Sequence, residues 1–515
     1  MSAGPSIDEI HVQPIAWRIL LSVAAIQFLL HVLTNGNYGM FRDEYYYLAC
    51  ANRLAWGYVD QPPFSIWVLA TWKAMFGQSV HAIRILPALC GSALVVFTGA
   101  VAARLGGGRW AQLFAGVASA IGAAGLVICG FYSMNCFDFL AWIGAYFVVI
   151  RIADTNDGRW WLWLGLVIGL GLFNKIGILV FGIALVVGLL LTKLRRHFLD
   201  RRLYLGGAIA LMFLLPYVLW NVANEWPTWQ FIENAKQFKI AAISPLGFLA
   251  ENVLEANPAT VPLWVGGLLW FLIARPARPY RIVGLMLIVT WAFLVFQKSK
   301  PYYFAASFPV MIAAGGVAWE RWTISRHWRW VHWLIAANLV VGLVVFLPLA
   351  LPLLSPADLD VYQQRLGLAP TAAEVGHTSD LPQYFSDRFG WENLARTVAG
   401  VYAGLPTDDR ARTVVVGSDY GQSGALEYWS TEFELPPIYG RQNNYWLWGP
   451  PPVDVNTVVI AINFDIDDLG KVFQEVSVAD VASSPWALES KMKVVVCRGL
   501  KRPIDEVWAE IKLFI

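Results

Sequence analysis

Long apolar segments alternate with short polar ones over the first two thirds of the chain. A helix that crosses a membrane needs about 20 apolar residues, and the pattern predicts eleven such helices. Asn174 and Lys175 interrupt the apolar stretch 160–192, which favours two helices that meet at a surface over one long helix. The predicted helices are 15–34, 80–104, 110–131, 135–153, 160–174, 176–192, 203–222, 258–275, 280–297, 302–319 and 331–354.

From about Ser355 the pattern changes to that of a water-exposed domain. Short β-branched runs predict buried strands, and helical patterns lie between and around them, which is typical of a small α/β domain. The runs are "RTVVVGS" (412–418), "NTVVIAINF" (456–464) and "KVVVCRG" (493–499). We therefore predict a mainly α, polytopic membrane domain over 1–354 and a small α/β domain over 355–515.

Composition supports a membrane protein. Of the 515 residues 57% are hydrophobic and 14% are charged, and the mean hydropathy is +0.52; ordinary domains have about 25% charged residues. The net charge of +2 gives no reason to expect a nucleic-acid partner. The five cysteines form no CxxC pair and no metal-ligand spacing, so we expect them to be small buried side chains.

The basic residues of the short loops predict the orientation of the chain. Cytoplasmic loops are enriched in Lys and Arg, and the loops 193–202, 274–281 and 320–330 are strongly basic. If these loops are cytoplasmic, the N-terminus is cytoplasmic as well. The first loop, 35–79, and the C-terminal domain are then external.

The first loop is long for a connection, and its sequence from 40 to 67 is "MFRDEYYYLACANRLAWGYVDQPPFSIW". It predicts two short amphipathic helices, near 43–55 and 64–76, of the kind that can lie in a membrane interface. Three tryptophans would then sit at the level of the lipid headgroups. They are Trp56, Trp67 and Trp72.

The same loop contains three acidic residues, Asp43, Glu44 and Asp60. An Asp at a helix start is often an N-cap that binds free backbone N–H groups. That interpretation accounts for Asp43 but for neither Glu44 nor Asp60, which lies beside a Pro-Pro pair. A functional role for the three acids therefore stays open beside the structural one.

Other polar residues mark the external ends of the predicted helices. Ionisable groups at membrane depth usually face a cavity or a partner, although the two lysines of "QKSK" are equally explained as snorkelling anchors. An acid-plus-base cavity suits a substrate with a phosphate and a nucleophilic hydroxyl, because a carboxylate takes the proton and a cation neutralises the phosphate. The residues are Arg84, Asn135, Asp138, Lys175, Lys298, Lys300, Tyr302 and Tyr303.

Common catalytic signatures are missing from the sequence. It contains no Walker A motif, no GxGxxG after a strand, no HExxH and no GxSxG. A nucleotide-driven pump and a serine or zinc hydrolase therefore lack their required parts.

Several segments, in order over nearly the whole chain, resemble the polyprenyl-phosphate-sugar-dependent glycosyltransferases of GT-C fold. These include the protein O-mannosyltransferases of glycosyltransferase family 39 and the aminoarabinose transferases that act on lipid A. The segments are "RDEYYYLACANRLAWGYVDQPPF", "IRILPAL", "MNCFDFLAW", "GLFNKIGIL", "PYVLWNVANEWPTWQF", "KSKPYYFAASFPVMIAAGG", "QYFSDRFGWENLARTVAGVY", "SDYGQSGALEYW" and "NNYWLWGP".

The resemblance implies roles for the acidic residues. Asp43 matches the catalytic base of the family, and Glu44 would support it or help to bind an acceptor or a metal. Asp60 matches the acid of the family's Pro-Pro motif. In the lipid A enzymes a Lys follows that acid; here Gln61 stands in its place, which speaks against a lipid A-modifying role. Asp138 matches an acid that orients a sugar hydroxyl or a helix end.

The implied reaction is an inverting transfer from a polyprenyl-phosphate sugar to an acceptor hydroxyl, on the periplasmic side of a bacterial inner membrane. The donor phosphate would be held by Arg84, Lys175 and the lysines before Tyr302 and Tyr303. The acceptor is a glycan, a lipid or a protein. No cofactor is required by the pattern, and a divalent metal ion near Asp43 and Glu44 is left open, because one or two carboxylates do not define a metal site.

One alternative function, and two possible roles for an aromatic run, remain at this point. A multi-helix transporter or lipid-linked-sugar flippase would also need a charged cavity, but its ionisable groups are expected near the bilayer midplane in symmetric halves. In the C-terminal domain, the aromatic run "NNYWLWGP" either packs the domain or stacks on a sugar of the acceptor. Its candidate residues are Asn443, Asn444, Tyr445, Trp446 and Trp448.

Overall fold

The computed structural model describes residues 11–239, 243–368 and 379–515, so residues 369–378 of the predicted α/β domain lie outside the described residues. The chain forms two compact units. The first unit comprises Met1–Asn35, Ile83–Val218 and Ala242–Leu353. The second unit comprises Gly36–Ala82, Leu219–Ala241 and Leu354–Ile515. The first loop of the sequence therefore belongs to the same unit as the C-terminal residues.

All eleven predicted apolar runs contain helix. Within the described ranges, seven helices are long and apolar enough to cross a membrane. This confirms a polytopic, mainly helical protein. The seven are Trp17–Thr34, Val80–Arg104, Met134–Thr155, Arg201–Ala223, Arg278–Phe296, Pro301–Ser325 and Trp330–Ala350.

Four runs form shorter or bent helices. Two pairs pass the same test only if each bent pair counts as one span; they are Ile176–Leu190 with Lys193–Leu199, bent by 108°, and Pro245–Glu255 with Pro258–Ile273, bent by 92°. The other two runs form Trp160–Asn174 and, in place of one helix over 110–131, the pair Arg109–Ile121 and Ala123–Ile128. Over the described residues, the count of spans is thus seven to nine by length and composition, where the pattern predicted eleven.

The first unit has a continuous apolar core to which most of its helices contribute. Close helix contacts depend on small residues, because they let two backbones approach. Where Val261–Ile273 packs against Phe308–Ser325, a Cβ atom on Gly315 would clash with the carbonyl group of Leu263. The packing therefore requires glycine at that position.

The second unit combines the first-loop helices with the C-terminal residues. The two predicted first-loop helices are present as Arg42–Asn52 and Phe64–Phe76. The other helices of this unit are Pro227–Asn234, Pro356–Arg365, Gln383–Ser386, Trp391–Ala403, Thr407–Arg410, Tyr420–Trp429, Asn444–Leu447, Ile466–Val472 and Ile504–Glu510, with a π-helical turn at Ala235–Lys239.

A five-stranded sheet forms the centre of the C-terminal region. Its strands are β1 Thr413–Gly417, β2 Ile438–Gly440, β3 Val458–Ile462, β4 Phe473–Ser483 and β5 Lys491–Leu500. The order is β2-β1-β3-β5-β4. Strand β1 is parallel to β2 and β3, whereas β5 is antiparallel to β3 and β4.

The three predicted strands are β1, β3 and β5, so the small α/β domain is confirmed. Every residue of β1 and β3 is buried, as expected for strands covered on both faces. Strands β2 and β4 were not predicted. Strand β2 has only three residues, and β4 is an edge strand whose mostly exposed residues do not form an apolar run.

The first helix of the loop is buried within the second unit, and its position in a membrane interface stays a prediction. Nine of the eleven residues of Arg42–Asn52 are buried. Much of this burial comes from the C-terminal helix Tyr420–Trp429, which packs along it. Helix Phe64–Phe76 is more exposed, with only Ser65, Ile66 and Leu69 buried.

Candidate active site

The Asp43 carboxylate is held by a tyrosine from the C-terminal region. Asp43 is the second residue of helix Arg42–Asn52, and its N-cap position is occupied by Phe41. The interpretation of Asp43 as an N-cap is therefore wrong. Instead, the Tyr420 hydroxyl donates a hydrogen bond of 2.8 Å to Asp43 Oδ1.

The neighbours of Asp43 fix the start of its helix. The Arg42 backbone N–H donates to the Asp387 carbonyl oxygen at 3.1 Å, and the Arg42 guanidinium lies 3.4 Å from the Asp387 carboxylate. Glu44 is fully buried, and its Oε2 accepts a hydrogen bond of 2.8 Å from the Phe41 backbone N–H. Of the two adjacent acids, Glu44 thus caps the helix and Asp43 faces Tyr420.

Asp60 belongs to a second hydrogen-bond group of the same unit. The Tyr46 hydroxyl lies 3.1 Å from Asp60 Oδ1 and 2.9 Å from Asn444 Oδ1, so its one proton is shared between two acceptors. Asn444 Oδ1 also accepts from the Val59 backbone N–H at 2.8 Å. Burial, with the Asp60 carboxylate beside it, raises the pKa of Tyr46 well above its usual range, so the phenol stays a donor.

Gln61, which follows Asp60, is completely buried. Its Oε1 accepts a hydrogen bond of 3.4 Å from the Ser65 hydroxyl. Its Nε2 has no hydrogen-bond partner in the part of the chain that the structure describes. Burying an amide N–H without a partner is unfavourable, which marks this group as a free donor in the second unit.

A cation lies among polar and aromatic side chains in the first unit. Lys175 follows helix Trp160–Asn174 in an extended conformation. Its Nζ donates to Asn135 Oδ1 at 2.7 Å and lies 3.5 Å from Asp138 Oδ2. The same ammonium lies 4.7 Å from the centre of the Tyr303 ring and 5.7 Å from that of Tyr302. We call these five residues the Lys175 cluster.

The break in the helix places Lys175 in this cluster. Asn174 ends the helix and donates through Nδ2 to the Met134 carbonyl oxygen at 2.8 Å. A short 3-10 turn, Ile176–Ile178, then leads into the next helix. The predicted interruption of the apolar run at Asn174 and Lys175 is confirmed, and it orients the ammonium towards the start of helix Met134–Thr155.

The other predicted cations have different surroundings. Arg84 is buried in the first unit and donates to the carbonyl oxygen of Asn35. Lys298 is exposed and has a positive φ of 55°, and Lys300 is half-buried directly before the turn Pro301–Ser307. The structure therefore brings Asp138, Tyr302 and Tyr303 to Lys175.

The predicted acceptor residues make contacts within the protein. Asn443 Oδ1 accepts from the Ile515 backbone N–H at 3.1 Å, and the Tyr445 hydroxyl donates to Glu427 Oε2 at 2.8 Å. Trp446 Nε1 donates to the Trp508 carbonyl oxygen at 2.7 Å. Together with Asn444, these side chains stabilise the domain, and a role in acceptor binding stays a prediction.

Within the described ranges, no three His, Cys, Asp or Glu side chains lie together as a metal site would require. The two adjacent acids have different partners. Asp43 accepts from the Tyr420 hydroxyl, and Glu44 accepts from the backbone N–H of Phe41. The five cysteines are buried, as the sequence predicted, and they form no disulfide with one another.

Two residues of the site were not found from the sequence. Tyr46 and Tyr420 lie in the segments "RDEYYYLACANRLAWGYVDQPPF" and "SDYGQSGALEYW", but neither was predicted as a site residue. The usable signal for Tyr420 was its position directly after the N-cap Asp419, at the end of a strand. Residues that follow the carboxyl end of a parallel strand lie where ligand sites of α/β domains commonly occur.

Known proteins were compared with this chain. The family model described as dolichyl-phosphate-mannose-protein mannosyltransferase matches residues 60–220. The fold is similar to that of ArnT from Cupriavidus metallidurans in the apo state, with a TM-score of 0.59 and 18% identity, covering 93% of this chain and 97% of that one. It is also similar to that of ArnT from Cupriavidus metallidurans bound to undecaprenyl phosphate, with a TM-score of 0.55 and 17% identity. That similarity covers 93% of this chain and 98% of the ArnT chain.

The comparison with curated proteins found no match. The family-model match and the likeness to ArnT confirm the predicted resemblance and the GT-C type of fold. The likeness to ArnT extends over nearly all of both chains.

Proposed function

We propose that the protein is a membrane glycosyltransferase that moves a sugar from a polyprenyl-phosphate donor to an acceptor hydroxyl. The observation that carries this proposal is the Asp43 carboxylate, presented at the start of a buried helix and held by Tyr420. The GT-C type of fold and the match to a family of lipid-phosphate-sugar enzymes support it.

Asp43 would act as the general base. The acceptor hydroxyl gives its proton to the carboxylate, and its oxygen forms a bond to C1 of the sugar. The bond from C1 to the donor phosphate breaks, and its electron pair leaves with polyprenyl phosphate. One displacement of this kind inverts the configuration at C1. Asp43 then loses the proton to water, and the enzyme is restored.

The Lys175 cluster would bind the donor phosphate. A cation stabilises the charge that develops on the leaving phosphate, so that no acid has to protonate it. The ammonium is positioned by Asn135 and Asp138 and lies against two tyrosine rings. Arg84, Lys298 and Lys300 remain further candidates for the same phosphate, with Asp138 or Asp60 as groups that orient the sugar.

The location follows the orientation predicted from the basic loops. The reaction would take place on the periplasmic side of a bacterial inner membrane, with the N-terminus in the cytoplasm. The donor is of the undecaprenyl-phosphate type, the lipid to which one of the similar structures is bound. Gln61 offers a neutral donor where lipid A enzymes would have a cation, which favours an acceptor other than lipid A.

The test is a transfer assay on the purified full chain in lipid nanodiscs. A panel of undecaprenyl-phosphate sugars is offered with an extract of envelope glycolipids and polymers, and release of undecaprenyl phosphate is measured. Asp43→Asn is expected to reduce release on the order of 10²–10⁴-fold, because the base is lost while the side-chain volume is kept.

Asp468→Asn is the matched control, since Asp468 is exposed and pairs only with its helical neighbour Lys471 among the contacts described here. It should release undecaprenyl phosphate at the wild-type rate. Near-normal release by Asp43→Asn would remove Asp43 as the base. If no donor is turned over and lipid-linked sugar instead crosses the bilayer of reconstituted vesicles, the protein is a transporter.

A further inference from the structure

The contact between Tyr420 and Asp43 joins residues 377 positions apart in the sequence. The donor–acceptor distance is 2.8 Å, and Tyr420 is 7% exposed. A hydrogen bond to a charged carboxylate is stronger than one between neutral groups, and more so when water is excluded. The bond therefore restrains how the Asp43 carboxylate is rotated.

The backbone around Tyr420 is fixed by three hydrogen bonds. Its own N–H donates to Gln442 Oε1 at 2.9 Å. Asp419, the N-cap of the helix, accepts from the Gly421 N–H at 2.6 Å, and the Ser423 N–H donates to the Asp419 carbonyl oxygen at 3.2 Å. The phenol is thus attached to a helix start that has little freedom to move.

The ring of Tyr420 is also held. Its centre lies 4.9 Å from that of the Tyr46 ring and 5.4 Å from the Arg42 guanidinium carbon. Tyr46 and Arg42 are both buried residues of the helix that contains Asp43. A side chain restrained at its backbone and at its ring keeps its hydroxyl in one place, as a supporting group of a catalytic residue must.

We propose that Tyr420 is a positioning residue for the Asp43 base. Its hydrogen bond occupies Oδ1, so Oδ2 is the oxygen that accepts the proton of the acceptor hydroxyl. The C-terminal domain would in this way take part in the reaction without touching the substrate. Tyr420 has this role only if the chain is the glycosyltransferase proposed above.

Tyr420→Phe tests the proposal, because it keeps the ring and its contacts and removes only the hydroxyl. With the best undecaprenyl-phosphate sugar of the panel, kcat is expected to fall about tenfold, as for a misdirected catalytic group. KM for the donor should change by less than about twofold, since the base does not bind the donor phosphate. Rates are expressed per molecule of monodisperse, folded protein.

Tyr402→Phe is the matched control. It removes a tyrosine hydroxyl of the same unit, which donates to the Arg410 carbonyl oxygen at 3.2 Å. Its kcat should equal that of the wild type. If Tyr420→Phe also has the wild-type kcat, or if it changes only KM, Tyr420 is a packing residue and the proposal is wrong.

A double-variant cycle separates this inference from the proposed function. Once Asp43→Asn has removed the base, Tyr420→Phe should cause no further loss. A further tenfold loss in that background would show that Tyr420 acts independently of Asp43. Near-normal transfer by Asp43→Asn alone would instead refute the base itself, whatever Tyr420→Phe does.

Discussion

The Lys175 cluster of the first unit and the Asp43 site of the second unit hold their carboxylates in different ways. Asp138 is paired with a cation, at 3.5 Å from Lys175 Nζ. Asp43 accepts from a phenol, and Asp60 from a second phenol that it shares with an amide. Asp138 thus forms an ion pair with a cation, whereas Asp43 and Asp60 accept hydrogen bonds from uncharged phenols.

This difference fits the two chemical tasks proposed for them. A carboxylate that is ion-paired is stabilised in place and contributes mainly by orienting its cation. A carboxylate whose hydrogen-bond donor is a phenol can accept a proton without the loss of an ion pair at that contact. The two proposed roles, phosphate binding and base catalysis, thus correspond to two types of partner for the acid.

After loss of the Asp43 carboxylate itself, the largest effect is expected when the cation is removed. Lys175→Gln should reduce kcat/KM for the donor on the order of 10²–10³-fold, because the leaving phosphate loses its positive partner. Lys175→Arg should retain more of the activity than Lys175→Gln, since it preserves the charge. Initial rates over a range of donor concentrations measure both.

Lys193→Gln is the control for Lys175, since Lys193 is exposed on the 3-10 helix Lys193–Leu199. The double variant Asp138→Asn/Lys175→Gln also removes the acid left without its cation, and it reports whether any loss of folding comes from that acid. An unchanged kcat/KM in Lys175→Gln would separate this cluster from phosphate binding.

A smaller effect is expected when the support of Asp43 is displaced. A Cβ on Gly424 would lie 3.0 Å from the backbone carbon of Tyr45, so helices Arg42–Asn52 and Tyr420–Trp429 touch at this point. Gly424→Val should push them apart, lengthen the bond from Tyr420 to Asp43 and reduce transfer about 10- to 100-fold. The added volume should also lower the stability by about 1–3 kcal/mol.

Gly400→Val is the matched control, because a Cβ on Gly400 would meet no atom within 4 Å. Transfer rates and thermal unfolding of both variants are compared in the same nanodiscs. Wild-type transfer by Gly424→Val would show that the site does not need the close contact of the two helices.

The smallest effect concerns an acid of the second unit that is held by amides. Glu489 Oε2 accepts from Gln422 Nε2 at 2.8 Å and from Asn463 Nδ2 at 3.1 Å. Burial raises the pKa of Glu489, and the charge of Asp419 adds to the shift. The folded state therefore binds the proton more tightly than the unfolded chain, and stability falls as the pH rises through the raised pKa.

Glu489→Gln keeps an acceptor for both amides and removes the charge. Its unfolding midpoint should exceed that of the wild type by about 2 °C at pH 8, and the difference should vanish towards about pH 4.5. Glu475→Gln, on the exposed edge strand, is the control. An equal or lower midpoint at pH 8 would show that the two amides fully compensate the buried charge.

Much of the fold was predictable because it rests on local patterns. The apolar runs, the break at Lys175, the two first-loop helices and the strands β1, β3 and β5 all follow from periodicity and from residue type. The edge strand β4 was not predictable, because its residues are mostly exposed and form no apolar run. The burial of helix Arg42–Asn52 was missed for another reason: its covering helix lies near the other end of the chain.

The sequence by itself determined that this is a polytopic membrane protein with a small α/β domain, and it determined which acids and cations are candidates for chemistry. These properties follow from the lengths of the apolar runs and from the positions of the charged residues, which are local features of the sequence. Only the tertiary structure decided that Glu44 caps a helix while Asp43 faces Tyr420, and that Asn135, Tyr302 and Tyr303 surround Lys175. A hydrogen bond joins atoms about 3 Å apart whatever their separation along the chain, so folding alone selects such partners.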